Sequence, residues 1–187
     1  MRSAKAVFLD RDGTLNPDPG YINEPDKFEF YEGAKEALKN IYDIGYKIFV
    51  ITNQSGVGRG LVKKDALEKI HQKLVRELEA EGVEIAGVYY CPHHPGEKCN
   101  CRKPSPEMVR IAAREHGIDV ARSFFIGDKR SDIETGKRAG CKTILVKTGD
   151  EGNTYKVEDL NPDYVISNLE EAVEILREVA NGETDSK

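Results

Sequence analysis

Ionised and amide side chains gather directly behind short apolar runs at four places along the chain. The run ending at Leu9 leads into Asp10-Arg11-Asp12-Gly13-Thr14, the run ending at Thr52 into Asn53-Gln54-Ser55, a Cys/His-rich stretch into Arg102-Lys103-Pro104, and the run ending at Gly127 into Asp128-Lys129-Arg130-Ser131-Asp132. Asp10 and Asp12 stand at i and i+2, so on extended backbone their carboxylates point the same way and repel unless a cation or a proton lies between them. Mg²⁺ suits that geometry, because it takes oxygen ligands octahedrally, often one or two carboxylates with waters and a substrate phosphate. Asp128 can bring the missing carboxylate from a neighbouring strand.

A second constellation, Cys91-Pro92-His93-His94-Pro95-Gly96-Glu97-Lys98-Cys99-Asn100-Cys101, reads as C-x-H, five intervening residues, then C-x-C. Cys91, His93, Cys99 and Cys101 make a Cys₃His set suited to tetrahedral Zn²⁺, and because protein fills all four positions a structural site is expected. His94 competes with His93 for the imidazole position, and a Cys99/Cys101 redox pair is the rival reading. A segment so rich in Pro and Gly cannot hold Arg102 and Lys103 by itself, whereas a metal tie can. Cys141, alone behind Gly140, reads as a small buried apolar residue.

The elements that must position these groups follow from periodicity. Apolar β-rich runs alternate with segments of helical period, which predicts an α/β fold with a parallel sheet. Strands are expected over Ala6 to Asp10, Tyr46 to Thr52, Ile85 to Tyr90, Ser123 to Gly127, Thr143 to Lys147 and Tyr164 to Ile166. Helices are expected over Ala34 to Ile44, along a Leu67-Ile70-Leu74-Val75-Leu78 face ending at Gly82, and from Ser105-Pro106 to Gly117. Two more are expected, from a Ser131/Glu134 capping box to Ala139 and over Asn168 to Ala180. In such a sheet ligands bind beyond the carboxyl ends of the strands, where the polar clusters fall.

With 187 residues, 28 Lys and Arg against 33 Asp and Glu (net charge −5) and 39% hydrophobic residues, the chain has the material for one globular domain over 1–187. That domain includes a zinc loop at 91–101 and a polar tail at 181–187. Apolar runs of at most four residues fall far short of the ~20 that a membrane span needs, and no signal-peptide core is visible, so a cytoplasmic protein without a membrane partner is expected. The mild acidity offers no basic stripe for nucleic acid. No helix face is over-hydrophobic, so a monomer is expected.

Asp10-x-Asp12-Gly13-Thr14, Thr52, Lys103 and Gly127-Asp128-x-x-x-Asp132 together resemble the haloacid dehalogenase superfamily of phosphohydrolases over residues 6 to 147. The resemblance implies a three-layer, doubly wound, mostly parallel Rossmann-like sheet. It implies Asp10 as the nucleophile that attacks phosphorus to give an aspartyl-phosphate, and Asp12 as general acid for the leaving alkoxide and then base for water. It further implies Mg²⁺ held by the Asp10 and Asp128 carboxylates and the Asp12 backbone carbonyl, with Thr52 and Lys103 binding the transferring oxygens and Asp132 orienting Lys103 or a loop. Between Thr52 and Lys103 there is room for a helix, a strand and the zinc loop, but not for a cap domain.

Leu15-Asn16, Gly20-Tyr21, Gln54-Ser55-Gly56, Arg59-Gly60 and the zinc loop running into Arg102-Lys103-Pro104 refine the likeness: the set is similar to the D,D-heptose 1,7-bisphosphate 7-phosphatase family. Histidinol-phosphate phosphatase domains carry a closely similar set, which leaves a phosphorylated amino alcohol as the alternative substrate. The likeness implies an open site that reads a phosphorylated small molecule with loops, through Asp18, Pro19, Gly20, Tyr21, Asn53, Gln54, Ser55, Arg102 and Lys129. Arg11 and Arg59 join these candidates, with surface salt bridges as their alternative. Arg102 and Lys129 suit the role physically, since Arg clamps a second phosphate in a fork and Lys adds a point charge. A zinc-stabilised module that binds phosphorylated ligands without hydrolysing them is the non-enzymatic alternative, opposed by the joint presence of Asp10, Asp12, Lys103 and Asp128.

Overall fold

The computed structural model describes residues 3–149 and 157–182. Its strands are β1 (Ala6–Leu9), β2 (Lys47–Asn53), β3 (Ile85–Cys91), β4 (Phe124–Gly127), β5 (Lys142–Val146) and β6 (Tyr164–Ile166), and its helices are α1 (Ala34–Asp43), α2 (Ser55–Gly58), α3 (Lys64–Ala80), α4 (Glu107–His116), α5 (Arg130–Ala139), α6 (Val157–Leu160) and α7 (Leu169–Gly182). The six strands form one sheet in the order β3-β2-β1-β4-β5-β6, and every pairing is parallel. All of β1 and Ile48 to Ile51 of β2 are buried, as a parallel sheet covered on both faces requires.

Helices α1, α3 and α7 pack on one face with Val7, Leu9, Val50 and Ile126, while α4 packs on the other with Phe8, Phe49 and Phe125. Ile133 of α5 joins Leu145 on that second side, which completes three layers. Their apolar stripes are those of amphipathic helices: α1 buries Ala34, Ala37, Leu38 and Ile41, at the i, i+3, i+4, i+7 spacing. On α3 the buried set is Ala66, Leu67, Ile70, Leu74 and Leu78, and the polar His71 is buried with them.

β1 and β4 are neighbours in the sheet although β2 and β3 intervene in the chain. The strand order reverses between them, and this opens a crevice at their carboxyl ends.

Several expected boundaries move. β2 continues to Asn53, which pairs with Cys91 of β3, and α2 forms inside a segment expected as loop. α4 begins at Glu107, whose N–H is accepted by Ser105 Oγ at 3.3 Å, so Ser105 caps from one residue further out. The capping box expected at Ser131 and Glu134 is corrected: α5 starts at Arg130, and Asp132 accepts the Lys129 N–H at 3.0 Å. A buried carboxylate already paired with a lysine sets that register more firmly than the Ser131 hydroxyl does. α7 runs past Ala180 to Gly182, and the remainder of the polar tail, 183–187, lies outside the described residues. Among the described residues no helix is long and apolar enough to cross a membrane.

Candidate active site

The adjacency of β1 and β4 brings two carboxylates together. Leu9 pairs with Ile126, and the Asp10 N–H donates to the Ile126 carbonyl at 3.0 Å, so Asp10 and Asp128 leave the sheet side by side. Asp132, on the first turn of α5, joins them, and one oxygen from each of the three lies within 4.8 Å of the others. All three are buried.

Lys103 is the cation in this cluster. Its Nζ lies 2.8 Å from Asp10 Oδ1 and 2.6 Å from Asp132 Oδ1, and it donates to the Ile51 carbonyl at 2.8 Å, so the ammonium is ion-paired with two carboxylates at once. The loop that carries it is pinned by Asn53, whose side-chain amide accepts the Lys103 N–H at 3.0 Å and donates to the Lys103 carbonyl at 3.2 Å. Asp128 has weaker support, accepting from the Thr14 hydroxyl at 3.3 Å. Burial, with the charges of Asp10 and Asp132, pushes its carboxyl up to about 8, and burial and Asp10 push Asp132 up to about 6. Three clustered carboxylates face Lys103 directly and Lys129 nearby, which is itself drawn to Asp18, and this leaves negative charge uncompensated; the donors are all hard oxygens. That set fits Mg²⁺ and suits thiophilic metals poorly.

Backbone shape sharpens the pocket around Asp128. A Cβ at Gly13, which holds φ +91°, would fall 2.3 Å from Asp128 Oδ2, and one at Gly149 would fall 2.0 Å from the same oxygen. Neither glycine tolerates a side chain without displacing the carboxylate.

Asp12 occupies a different environment. Its carboxylate accepts from Asn16 Nδ2 at 3.0 Å, Gln54 Nε2 at 2.8 Å and the Arg11 guanidinium at 2.7 Å. Burial pushes this carboxyl up, but the charge of Arg11 and the three donors outweigh it and hold the group below the usual range. Arg11, expected to contact substrate, is corrected: it is 1% exposed and lies beneath the site, against Asp12 and His71. The Thr52 hydroxyl accepts from Gln54 Nε2 at 2.9 Å, which uses an oxygen lone pair and leaves its own proton free to donate.

A cleft of about 530 Å³ opens above these groups. Asp12, Asp18, Gly20, Tyr21, Asn53, Gln54, Ser55, Arg102 and Lys129 line it. Pro19 and Arg59 do not: both are exposed, Arg59 at the end of α2. Lys129 reaches across to Asp18 at 2.8 Å. Arg102 has a buried Nη1 with no hydrogen-bond partner among the described residues. Arg130, Ser131 and Glu134 also line the cleft and were not among the substrate-contact candidates read from sequence. The signal was their place on the first turns of a helix directly behind Asp128.

Behind β3, the Cys91, Cys99 and Cys101 sulfurs and a His93 nitrogen lie within 4.8 Å of one another. His93 Nδ1 stands 3.2 Å from Cys101 Sγ and 3.4 Å from Cys91 Sγ, whereas His94 turns away and accepts the Gly96 N–H at 3.0 Å. These four residues could hold one tetrahedral metal ion. The loop is knitted to α2: the Gly58 N–H donates to the Pro92 carbonyl at 2.8 Å, so close that a Cβ at Gly58 would sit 2.7 Å from that oxygen.

Comparison with known proteins gives concordant likenesses. The HAD-hydrolase-like family model matches residues 100–172. D-glycero-beta-D-manno-heptose-1,7-bisphosphate 7-phosphatase of Pasteurella multocida is 46% identical over 152 residues, which is 78% of this chain and 83% of the relative. The Helicobacter pylori protein of the same name is 45% identical over 147 residues, 78% of this chain and 85% of its own. Among solved structures, D,D-heptose 1,7-bisphosphate phosphatase from B. bronchiseptica complexed with magnesium and phosphate is similar with a TM-score of 0.84 and 33% identity, covering 92% of this chain and 97% of that one.

Proposed function

The chain belongs to the D-glycero-beta-D-manno-heptose-1,7-bisphosphate 7-phosphatase family of haloacid-dehalogenase-like hydrolases, and from that premise we propose that it removes the C7 phosphate of D-glycero-D-manno-heptose 1,7-bisphosphate with Mg²⁺ as cofactor. Asp10 attacks phosphorus. As the Asp10 oxygen–phosphorus bond forms, the bond to the C7 oxygen breaks and that oxygen takes a proton from the Asp12 carboxyl, which its donors hold ionised in the free protein and which takes up that proton when the anionic substrate binds beside it. Water then attacks the aspartyl-phosphate, returns a proton to Asp12 and releases inorganic phosphate. Lys103 and the Thr52 hydroxyl bind the oxygens of the transferring group, and Asp132 holds Lys103 in place. The Asp10 and Asp128 carboxylates and the Asp12 carbonyl would hold Mg²⁺, which would supply positive charge to offset the acidic cluster and polarise the phosphoryl group.

The observation that carries this reading is the separation of Asp10 from Asp12. Two carboxylates two residues apart have different surroundings, one beside Lys103 and the acidic cluster, the other facing the cleft among hydrogen-bond donors. Different surroundings for paired carboxyls are what distinct nucleophile and proton-transfer roles require. The second phosphate of the substrate is received by Arg102 and Lys129, and the unpartnered Arg102 Nη1 supports an anion there. Cys91, His93, Cys99 and Cys101 would hold Zn²⁺, which would tie the loop that delivers Arg102 and Lys103.

A turnover panel of heptose 1,7-bisphosphate, other sugar bisphosphates and histidinol phosphate tests the proposal. The highest kcat/KM is expected for the heptose bisphosphate, with no phosphate released once Mg²⁺ is chelated. A much higher kcat/KM for histidinol phosphate would overturn the substrate, and no Mg²⁺-dependent release from any of them would overturn the enzyme reading.

A further inference from the structure

Arg11 and His71 are buried polar groups that the reaction as written does not use. Arg11 is 1% exposed and His71 8%, and they belong to different elements, the loop behind β1 and the middle of α3. The guanidinium holds both Asp12 oxygens: Nε and Nη2 donate to Oδ1 at 2.9 and 2.8 Å, and Nη2 donates to Oδ2 at 2.7 Å. Its remaining nitrogen, Nη1, donates to His71 Nε2 at 3.2 Å. An imidazole that accepts from a guanidinium must be neutral, and burial together with the Arg11 charge pushes His71 down to about 3. The His71 ring also packs against Tyr90 of β3, the two rings tilted by 58° with centroids 5.4 Å apart.

A forked contact to both oxygens fixes the plane of a carboxylate as well as its position, which a point charge cannot do. Gln54, which lines the cleft, approaches Oδ2, so Arg11 grips the carboxylate from below while the substrate side lies above. We propose that Arg11 and His71 are positioning residues for the proton transfer, a brace through which α3 fixes the rotamer of Asp12 so that its carboxyl meets the leaving oxygen. His71 acts only through Arg11, by preventing the guanidinium from rotating off Asp12. The proposal rests on Asp12 being the general acid.

The test compares kcat/KM for heptose 1,7-bisphosphate, whose alkoxide must be protonated as it departs, with kcat/KM for p-nitrophenyl phosphate, whose phenolate leaves without help. Arg11→Lys, His71→Phe, His71→Gln and Asp12→Asn are measured against wild type, each with its melting temperature. Asp12→Asn is expected to lose ~100-fold or more on the sugar phosphate and far less on the aryl phosphate. Arg11→Lys and His71→Phe are expected to show the same selective loss, on the order of tenfold, with KM little changed, because misplacing a catalytic group costs rate. His71→Gln, which keeps an acceptor for Arg11, should recover most of it. A loss of equal factor on both substrates in Arg11→Lys and His71→Phe, while Asp12→Asn discriminates, overturns the brace. If Asp12→Asn itself fails to discriminate, the general-acid assignment beneath it is wrong and the brace falls with it. Should Arg11→Lys prove unstable, the contrast between His71→Phe and His71→Gln decides the matter alone.

Discussion

Lys103 Nζ lies 2.8 Å from Asp10 Oδ1, with side chains only 2% and 4% exposed, so a lysine delivered by the loop behind β3 is locked onto the carboxylate behind β1. The same ammonium pairs with Asp132, and each partner lies on a different element. Within this buried group every charge depends on the others, which makes single removals informative.

Lys103→Met should abolish turnover and destabilise the protein by about 3–5 kcal/mol, because it strands two buried carboxylates without their cation. Urea denaturation in chelator measures it. A loss under 1 kcal/mol would show that the carboxylates take up protons or water without cost.

Asp10→Asn should lower phosphate release by on the order of 10⁴-fold or more, as removal of a covalent nucleophile does, while substrate still binds. Calorimetric titration with heptose bisphosphate and a single-turnover assay separate the two effects. Residual turnover near wild type would assign the nucleophile elsewhere.

Gly149→Ala should weaken Mg²⁺ binding by roughly tenfold, the scale seen when groups supporting a metal ligand are disturbed, since the new Cβ would stand 2.0 Å from Asp128 Oδ2. Titration of Mg²⁺ against thermal shift reports it independently of catalysis.

His71 carries a pH prediction. Its folded value is pushed down to about 3 by burial first and by Arg11 second, from an ordinary 6.5. The folded state therefore refuses a proton that the unfolded state accepts, so this contribution is complete above pH 6.5 and is lost as pH falls from 6.5 towards 3. The loss proceeds at up to about 1.4 kcal/mol per pH unit. His71→Gln should flatten the stability profile over that window; an unchanged slope would mean that the imidazole charges without penalty.

Purified protein should carry about one zinc per chain, and Cys99→Ser should lower the melting temperature more than Cys141→Ser, which changes only one small buried side chain of the core. Because Arg102 and Lys103 follow the loop directly, zinc removal should also reduce kcat. Elemental analysis and melting curves check this, and equal effects of the two substitutions would remove the cluster assignment.

Local chemistry was legible along the chain wherever a strand ended in carboxylates or a loop concentrated cysteines. Asp10, Asp12, Asp128, Lys103 and the Cys/His set announce themselves by type and spacing. The core faces of α1 and α3 follow from period alone, because burial selects apolar residues turn by turn. His71 was passed over for the same reason: it occupies an apolar-face position on α3, and only its distant partner explains it. Arg11 misled in the opposite direction, since a charged residue between Asp10 and Asp12 reads as solvent-facing until the fold buries it.

What the sequence by itself determined is the inventory: strands apolar on both faces, polar strand ends, clustered carboxylates, a Cys/His cluster, and helices of the right period. What only the tertiary structure decided is which of these groups meet. The β1–β4 adjacency that joins Asp10 to Asp128, the arrival of Lys103 between Asp10 and Asp132, the choice of His93 over His94, and the Arg11–His71 contact all depend on strand order and on loops closing over long separations. Those contacts arise from packing the whole chain into three layers, and no local propensity encodes a partner sixty or a hundred residues away.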